Sequence, residues 1–421
     1  MPTESNVNNE THDVVVIGSG IIGVTIAWEL RKAGREVLLV DRDEPGMGCS
    51  YGNAAHFATE QIFPIANLGN LKNLPRYLMS ADSPLTFKKS SLLRLIPWGI
   101  RYLMACRESS FRRGTAALDA LNKRSLPAWR ELLEEIGALD LLHSPGTLQL
   151  AESKKGAAEL ASLHQELQNY DVPSTLLDSR QVHELLKELP AGDYAGLYFP
   201  DTAYCHDPHA FLLEVFKACL SRQVRFMRRH VRHVSVDSRG EVNILSDAAT
   251  LKARSVVIAC GVHSKSLVEP HGYRAPMIAE RGYHMLLPQA GIELALPTTL
   301  HERQFIMTPM DGGVRLAGTV EFAGIDDPPT MKRADMLFDQ ASSIFPKLDK
   351  TGATQWMGSR PTMPDYLPVV DHLDQIGPVF AAFGHAHLGL TQAVISAKLL
   401  VDMMLNRRNE IDSSAYRINR Y

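Results

Sequence analysis

The sequence predicts an α/β protein in which a Rossmann-like dinucleotide-binding domain is interleaved with a second domain of mixed sheet and helices. Three observations carry this. A strand, glycine-rich turn, helix, strand and acid follow in register over Asp13–Asp41 (DVVVIGSGIIGVTIAWELRKAGREVLLVD). A second continuous apolar strand, VVIACG at Val256–Gly261, lies more than 200 residues downstream. A third strand–turn–helix unit closes the chain over residues 378–405. Strands that fully buried parallel sheets require recur far apart, with alternating stretches between them. This places the two domains interleaved rather than end to end.

Within the opening unit each part has a mechanical task. Val14–Ile17 is β-branched throughout and reads as a buried strand. Gly18 makes the tight turn, Gly20 lets backbone approach a pyrophosphate, and Gly23 lets helix pack on strand. The helix from Ile21 to about Ala33, capped by Gly34, turns free N–H groups toward phosphate. Val37–Val40 is the second strand, and Asp41 at its end is placed to accept from ribose hydroxyls. These residues predict a dinucleotide and leave NAD and FAD both open.

The chain has 421 residues, with 44 Lys+Arg against 47 Asp+Glu, a balance that gives no reason to expect nucleic acid as a partner. The five cysteines, Cys49, Cys106, Cys205, Cys219 and Cys260, lack C-x-x-C spacing, which fits a reducing cytosol and neither a metal site nor a disulfide framework. The polar first residues, MPTESNVNNETHD, have no basic and apolar regions of a signal peptide and are expected to be a short disordered lead-in. Ile376–Ala397 carries no Asp, Glu, Lys or Arg, yet Pro378, Gly384, His385, His387 and Gly389 fall in its first half. It is expected to be strand, turn and helix start rather than a membrane span.

After Asp41 a small-residue loop, RDEPGMGCSYGNAAHFATE, permits close approach to a ligand. Residues 67–137 are helical in pattern and punctuated by Pro75, Pro84, Pro97 and Pro127, with Leu126–Ile136 the clearest helix. Further helices are expected over Lys155–Asn169, Ser179–Lys187 with Asp178 as N-cap, Phe211–Leu220 and Leu390–Leu405. Strands are expected at Thr147–Ala151, Val224–Met227, Val231–Val236, Val242–Leu245, Ser255–Ala259, Tyr283–Leu287, Gln304–Thr308 and Val314–Ala317. Gly358–Asp371, GSRPTMPDYLPVVD, reads as a proline-rich loop holding one arginine, and Phe383–Ala393, FGHAHLGLTQA, as a Gly-rich turn opening an apolar helix. The segment SLLRLIPWGIRYLMACRESSFRR sets Trp98, Tyr102 and several leucines beside Arg94, Arg101, Arg107, Arg112 and Arg113. The expectation is a pair of packed helices split at Pro97 with solvated arginines, and the alternative is an anionic membrane surface.

Taken together, the fingerprint, VVIACGVHS, GSRPTMPDYLPVVD and FGHAHLGLTQA resemble the D-amino-acid oxidase superfamily of flavoproteins, and most closely its bacterial D-amino-acid dehydrogenase branch. The resemblance runs from Val14 to about Leu405 and is weakest over 67–190. It implies an FAD-binding domain at 1–66, 191–265 and 346–421, and a substrate domain at 67–190, with a helical insertion, and at 266–345. It implies that Gly18, Gly20, Ile21, Ile22, Gly23, Asp41 and Arg42 hold the ADP half of FAD, bound non-covalently. By the same resemblance Ser50, Gly52, Asn53 and Ala54 lie along the pyrophosphate and flavin. Ala259, Cys260 and Gly261 line FAD, with Cys260 in place of the usual threonine. Gly384, Leu388, Gly389, Leu390 and Thr391 bring a helix N-terminus to the flavin pyrimidine ring. Arg360, in G-x-R-P, would bind the substrate carboxylate, a role for which a planar guanidinium fork is suited; a surface salt bridge is the alternative. His56, His387 and Tyr283 are the further catalytic candidates, each with a purely structural alternative, as have Thr319 and Glu321.

The reaction implied is oxidative deamination of a small D-amino acid or cyclic imino acid, of D-proline or D-hydroxyproline type, by hydride transfer from Cα to flavin N5. Electrons would pass to a quinone or other acceptor. A glycine or sarcosine oxidase-like activity and a flavin subunit of a larger dehydrogenase complex are the alternatives. The expected place is the cytoplasm, with peripheral contact on the inner face of the membrane as an addition.

Overall fold

In the computed structural model, residues 10–71 and 83–421 are described; the expected lead-in up to residue 9 and Pro75 lie outside them. Two sheets organise the molecule. The first has eight strands among the described residues. At its centre Thr11–Ile17 pairs in parallel with Val37–Asp41 on one side and with Thr250–Ile258 on the other, Val14–Ile17 opposing Ser255–Ile258. Arg225–Arg228 extends the sheet beyond Val37–Asp41, and Val379–Phe383 pairs in parallel with Val256–Ile258.

Period-two alternation explains why the run Val14–Ile17 is apolar throughout. Val14 and Val16 belong to one core with Leu39, Val257 and Trp28, whereas Val15 and Ile17 belong to another with Leu38, Val40, Val256 and Ile258. Helices Ile21–Lys32 and Gly389–Met404 cover the first face. Thr250–Ile258 begins earlier than the expected Ser255. Its first half alternates because it pairs with the one-sided hairpin strand Val242–Ser246, and its second half is buried on both faces.

The second sheet has nine strands among the described residues. Its edge strand Thr354–Thr362 pairs with Ile278–Leu287, which pairs with Gly313–Phe322, all antiparallel. The expected loop at Gly358–Asp371 is therefore partly wrong: Gly358–Thr362 is strand, and Pro361 is tolerated because the strand is at an edge. Two of the expected domain boundaries also fall ahead of strands of this sheet. Ala195–Phe199 (within 191–265) and Thr354–Thr362 (within 346–421) both pair here.

The helical region departs from expectation in one respect. Leu92–Ala105 runs unbroken through Pro97, and Glu108–Ile136 runs through Pro127 and starts well before Leu126. Both prolines are on exposed faces, as are Leu93 and Lys123 four residues before them, so the carbonyls that lose a donor can turn to water. The chain breaks instead at Cys106–Arg107. Glu108–Ile136 packs on Gly389–Met404, and Trp129 Nε1 donates to the carbonyls of Leu390 and Thr391 at 2.9 and 3.2 Å. No helix among the described residues is long and apolar enough to cross a membrane, and the expected strand, turn and helix over 376–397 are present.

Candidate active site

A cavity of about 550 Å³ lies between the two sheets, at the carboxyl ends of the parallel strands. Gly18 has φ +109°, and a Cβ there would sit 2.5 Å from the Ala259 carbonyl oxygen, so only glycine fits the turn. At Gly23 a Cβ would lie 1.8 Å from the Gly18 carbonyl oxygen, which is the close helix–strand contact expected of it. Gly20 is the N-cap and brings no side chain of its own to the helix end, and the first turn holds no acid. Ser50 Oγ accepts from the Ile21 N–H at 3.0 Å and ties the following loop to this turn. Asp41 accepts from the Ser19 N–H at 2.6 Å and from the Ser19 hydroxyl at 2.9 Å.

The second helix opening on the cavity, Gly389–Met404, also lacks a side-chain cap and a first-turn acid. Two helix N-termini with no N-cap side chain and no first-turn acid, facing one cavity, are a fit for a group with a pyrophosphate at one point and an electron-accepting ring at another. Gly18, Gly20, Ile21, Ile22, Asp41, Arg42, Ser50, Gly52, Asn53, Ala54, Ala259, Cys260, Gly261, Gly384, Gly389 and Leu390 all border it. Gly23, Leu388 and Thr391 do not. Gly23 is spent on packing, and Thr391 Oγ1 accepts from the Ala58 N–H at 2.9 Å.

The wall opposite is built by the paired strands Ile278–Leu287 and Thr354–Thr362. Glu280 faces Arg360, Gly282 faces Gly358 and His284 faces Trp356 across the ladder. The two glycines leave room for the larger side chains to fold over the sheet. The Arg360 guanidinium lies on Gly282, where a Cβ would meet Nη2 at 2.4 Å, and the Trp356 ring lies over Gly358. Trp356 also stacks on His284, whose Nδ1 is 2.9 Å from the Gly52 carbonyl.

Arg360 does pair with an acid, but not at the surface. Its Nη1 donates to Glu280 Oε1 at 3.1 Å, and Glu280 Oε2 accepts from the hydroxyls of Thr362 and Tyr366 at 3.1 and 3.2 Å. Glu280 is buried, while Arg360 remains part-exposed to the cavity. Burial, and then the Glu280 charge, holds the Tyr366 hydroxyl well above its ordinary pKa, so it stays a neutral donor. Sequence reasoning missed Glu280, Tyr366 and Trp356. Glu280 stands in ERGYHM three residues before Tyr283, and its partner is eighty positions away.

The histidines separate. His387 borders the cavity, and its Nε2 lies 2.8 Å from Gln61 Oε1. An amide oxygen only accepts, so this contact puts the ring proton on Nε2 and leaves Nδ1 as an acceptor. Nδ1 is buried without a partner among the described residues. Burial, with Arg360 adding to it, pushes the ring down to about 4. His56 does not border the cavity: its Nε2 is 2.9 Å from Thr147 Oγ1 and 3.9 Å from Glu60, and burial pushes it down to about 3. It is a neutral interior residue here, in correction of the catalytic expectation.

Tyr283 borders the cavity, yet its hydroxyl is engaged on the other face of the strand. It is on the opposite face of its strand from Glu280 and His284, and its hydroxyl donates to Glu321 at 2.6 Å and accepts from the Thr330 N–H at 2.9 Å. Glu321 is thereby structural, and Thr319 sits at a positive φ of 51° beside the irregularity in that ladder. Cys49 and Cys260 border the cavity, with thiols pushed up to about 11 by burial. No cluster of three or more metal-ligating side chains exists among the described residues.

Comparison with known proteins matches residues 13–403 to the family described as FAD dependent oxidoreductase (DAO). The chain belongs to this family. It is an FAD-dependent oxidoreductase, and the cavity that the two helix N-termini face is where its residues fit FAD. A D-amino-acid oxidase of Bradyrhizobium diazoefficiens is 28% identical over 98% of this chain and 99% of its own length. A D-amino acid dehydrogenase of Methylobacterium radiotolerans is 30% identical over 97% of this chain and 99% of its own. Among solved structures, glycine oxidase from Geobacillus kaustophilus superposes with a TM-score of 0.74 at 20% identity, covering 98% of this chain and 100% of that one. L-proline dehydrogenase from P. horikoshii does so with 0.74 at 16%, covering 98% of each. At those identities the likeness is one of fold.

Proposed function

We propose that the protein is a D-amino-acid dehydrogenase that oxidises a small D-amino acid or cyclic imino acid, of D-proline or D-hydroxyproline type, to the imine. The observation that carries this reading is the Arg360 guanidinium, laid over Gly282 and part-exposed to the cavity that fits FAD. Its fork suits the substrate carboxylate. Support for the D-amino acid class comes from the names of the full-length relatives. FAD, held without a covalent bond, supplies a hydride acceptor at N5. The thiols of Cys49 and Cys260, pushed up to about 11, are protonated at neutral pH and so are poor nucleophiles toward it.

The protein's own residues then have three tasks. Arg360 anchors the carboxylate, Glu280 and Tyr366 fix the position of Arg360, and His387 Nδ1 accepts from the substrate N–H, which turns Cα–H toward the flavin face. The imine leaves for hydrolysis to a 2-oxo acid or, if cyclic, persists. Electrons pass to a quinone or other carrier, and the protein works in the cytoplasm, in peripheral contact with the membrane.

His387 is too weak a base to deprotonate an aminium ion, so the substrate must arrive as the free amine. kcat/KM for a D-amino acid is therefore expected to rise about tenfold per pH unit from pH 6 until the amine's own pKa is reached. A steady-state pH profile checks this, and a plateau already established at pH 6 would show that a stronger base is present. The reading as a whole is tested by anaerobic mixing with a panel of D-, L-, N-methyl and cyclic amino acids. Bleaching of the flavin absorbance by D- or cyclic imino acids is the expected result. Bleaching by sarcosine or glycine alone would favour the amine-oxidase alternative, and no bleaching by any D-amino or imino acid would overturn the proposal.

A further inference from the structure

The helix Leu92–Ala105 has an outer face that nothing among the described residues covers. Leu92, Leu93, Ile96, Ile100, Leu103 and Met104 are between 48 and 81% exposed. At about 100° per residue these six side chains fall within an arc of roughly 120°. The opposite face is packed. Trp98 stacks on Tyr102, its Nε1 lies 3.4 Å from the Thr362 carbonyl, and the Tyr102 hydroxyl donates to the Ile65 carbonyl at 3.1 Å. The exposed apolar stripe therefore belongs to an element fixed in place, and the helix is not there merely to fill a core. A contiguous apolar patch of this kind on a soluble protein marks a contact surface.

Charge decides what the contact is with. Between Lys88 and Arg113 the sequence holds seven basic residues and one acid, Glu108. Glu108 pairs with Arg112 at 2.6 Å, while exposed Arg107 and Arg113 have no acidic partner among the described residues. A second copy of this chain seated on the stripe about a two-fold axis would bring these arginines together, like charge against like. A surface of apolar depth beneath anionic headgroups accepts both the stripe and the arginines. We propose that helix Leu92–Ala105 and the arginines that follow it form the docking face by which this protein lies on an anionic lipid bilayer.

The inner face of the same helix packs beside the catalytic wall. Trp98 and Phe322 are 5.5 Å apart by ring centroid, Tyr102 and Tyr366 are 6.5 Å apart, and Tyr366 holds Glu280. Docking here sets the substrate wall of the cavity close to the bilayer, within reach of an acceptor dissolved in it. This last benefit rests on the proposed dehydrogenase reading, and the docking gives a place to that reading's peripheral membrane contact; the oxidation itself does not depend on it.

The test is sedimentation of the FAD-loaded protein with vesicles of phosphatidylcholine containing phosphatidylglycerol, and with phosphatidylcholine alone. Binding to the anionic vesicles is expected to be at least about tenfold tighter and to weaken with salt. The double variant Leu93→Glu/Ile100→Glu and the charge variant Arg107→Glu/Arg113→Glu are each expected to lose it. Leu176→Glu, an exposed apolar position elsewhere, should not. All of these positions are on the surface, so flavin content and dye-linked turnover stay at the level of the unaltered protein, which separates failure of docking from failure of the assigned reaction. Equal binding to both vesicle types, no binding to either, or a dimer by light scattering that the Leu93→Glu/Ile100→Glu variant splits would each overturn the proposal.

Discussion

Arg360→Lys is expected to leave FAD bound and to cut kcat/KM for the best D-amino acid about 100-fold. The geometry separates the two effects. Arg360 lies on the wall away from the fingerprint glycines, so its replacement touches none of the contacts that fit the ADP half of the cofactor. In the proposed reading the loss for substrate is large because the guanidinium serves two acids in one plane. Nη1 goes to Glu280, and the rest of the fork lies over Gly282, where it borders the cavity. A lysine ammonium is a single point of charge with Glu280 already beside it, and the buried carboxylate will hold it in preference to a partly solvated ligand. Losing a charge-assisted hydrogen bond of this kind costs about 1.5 to 3 kcal/mol, or roughly one to two powers of ten in transition-state binding. Flavin-to-protein ratio and steady-state kinetics on the purified variant read the two effects independently. Near-normal kinetics would mean that the carboxylate is bound elsewhere.

What the sequence made legible follows the range of the interactions. The fingerprint unit is local, because strand, turn, helix and acid all lie within Asp13–Asp41, and every step has its own residue-level signal. Val256–Gly261 was legible for a related reason: a strand buried on both faces must be apolar at every position, wherever in the chain it occurs. The prolines misled, because their cost depends on whether the residue four back can turn its carbonyl to solvent, and that is a property of the packed helix. Gly358–Thr362 read as loop because glycine and proline are loop residues. In place they are an edge strand whose glycine makes room for a tryptophan. Glu280 had no local mark at all. It became part of the site only when antiparallel pairing set it opposite Arg360, and the same pairing turned Tyr283 to the other face.

The three fingerprint glycines look equivalent as a motif, yet substitution is expected to fail in different ways. At Gly20 the backbone is extended, φ −70° and ψ 178°, which any residue adopts, and a Cβ meets only Ser50 Oγ, at 3.2 Å. Gly20→Val should therefore fold. Its branched side chain would stand between the helix N-terminus and the cavity, and would keep a pyrophosphate from the N–H groups. The expected product is a monodisperse protein of unchanged far-UV circular dichroism and lost FAD. At Gly23 a Cβ would lie 1.8 Å from the Gly18 carbonyl oxygen, which is backbone and cannot rotate away. Even Gly23→Ala must push helix Ile21–Lys32 off its strand, and with it Val24, Ala27 and Trp28 from the core they share with Val14 and Val16. Overpacking of this sort costs about 1 to 3 kcal/mol, and more where backbone must move. Gly23→Ala should thus lower the thermal midpoint of the apoprotein itself, whereas Gly20→Val should leave that midpoint close to that of the unaltered apoprotein. Equal midpoints for the two variants would mean that Gly23 serves the cofactor rather than the packing.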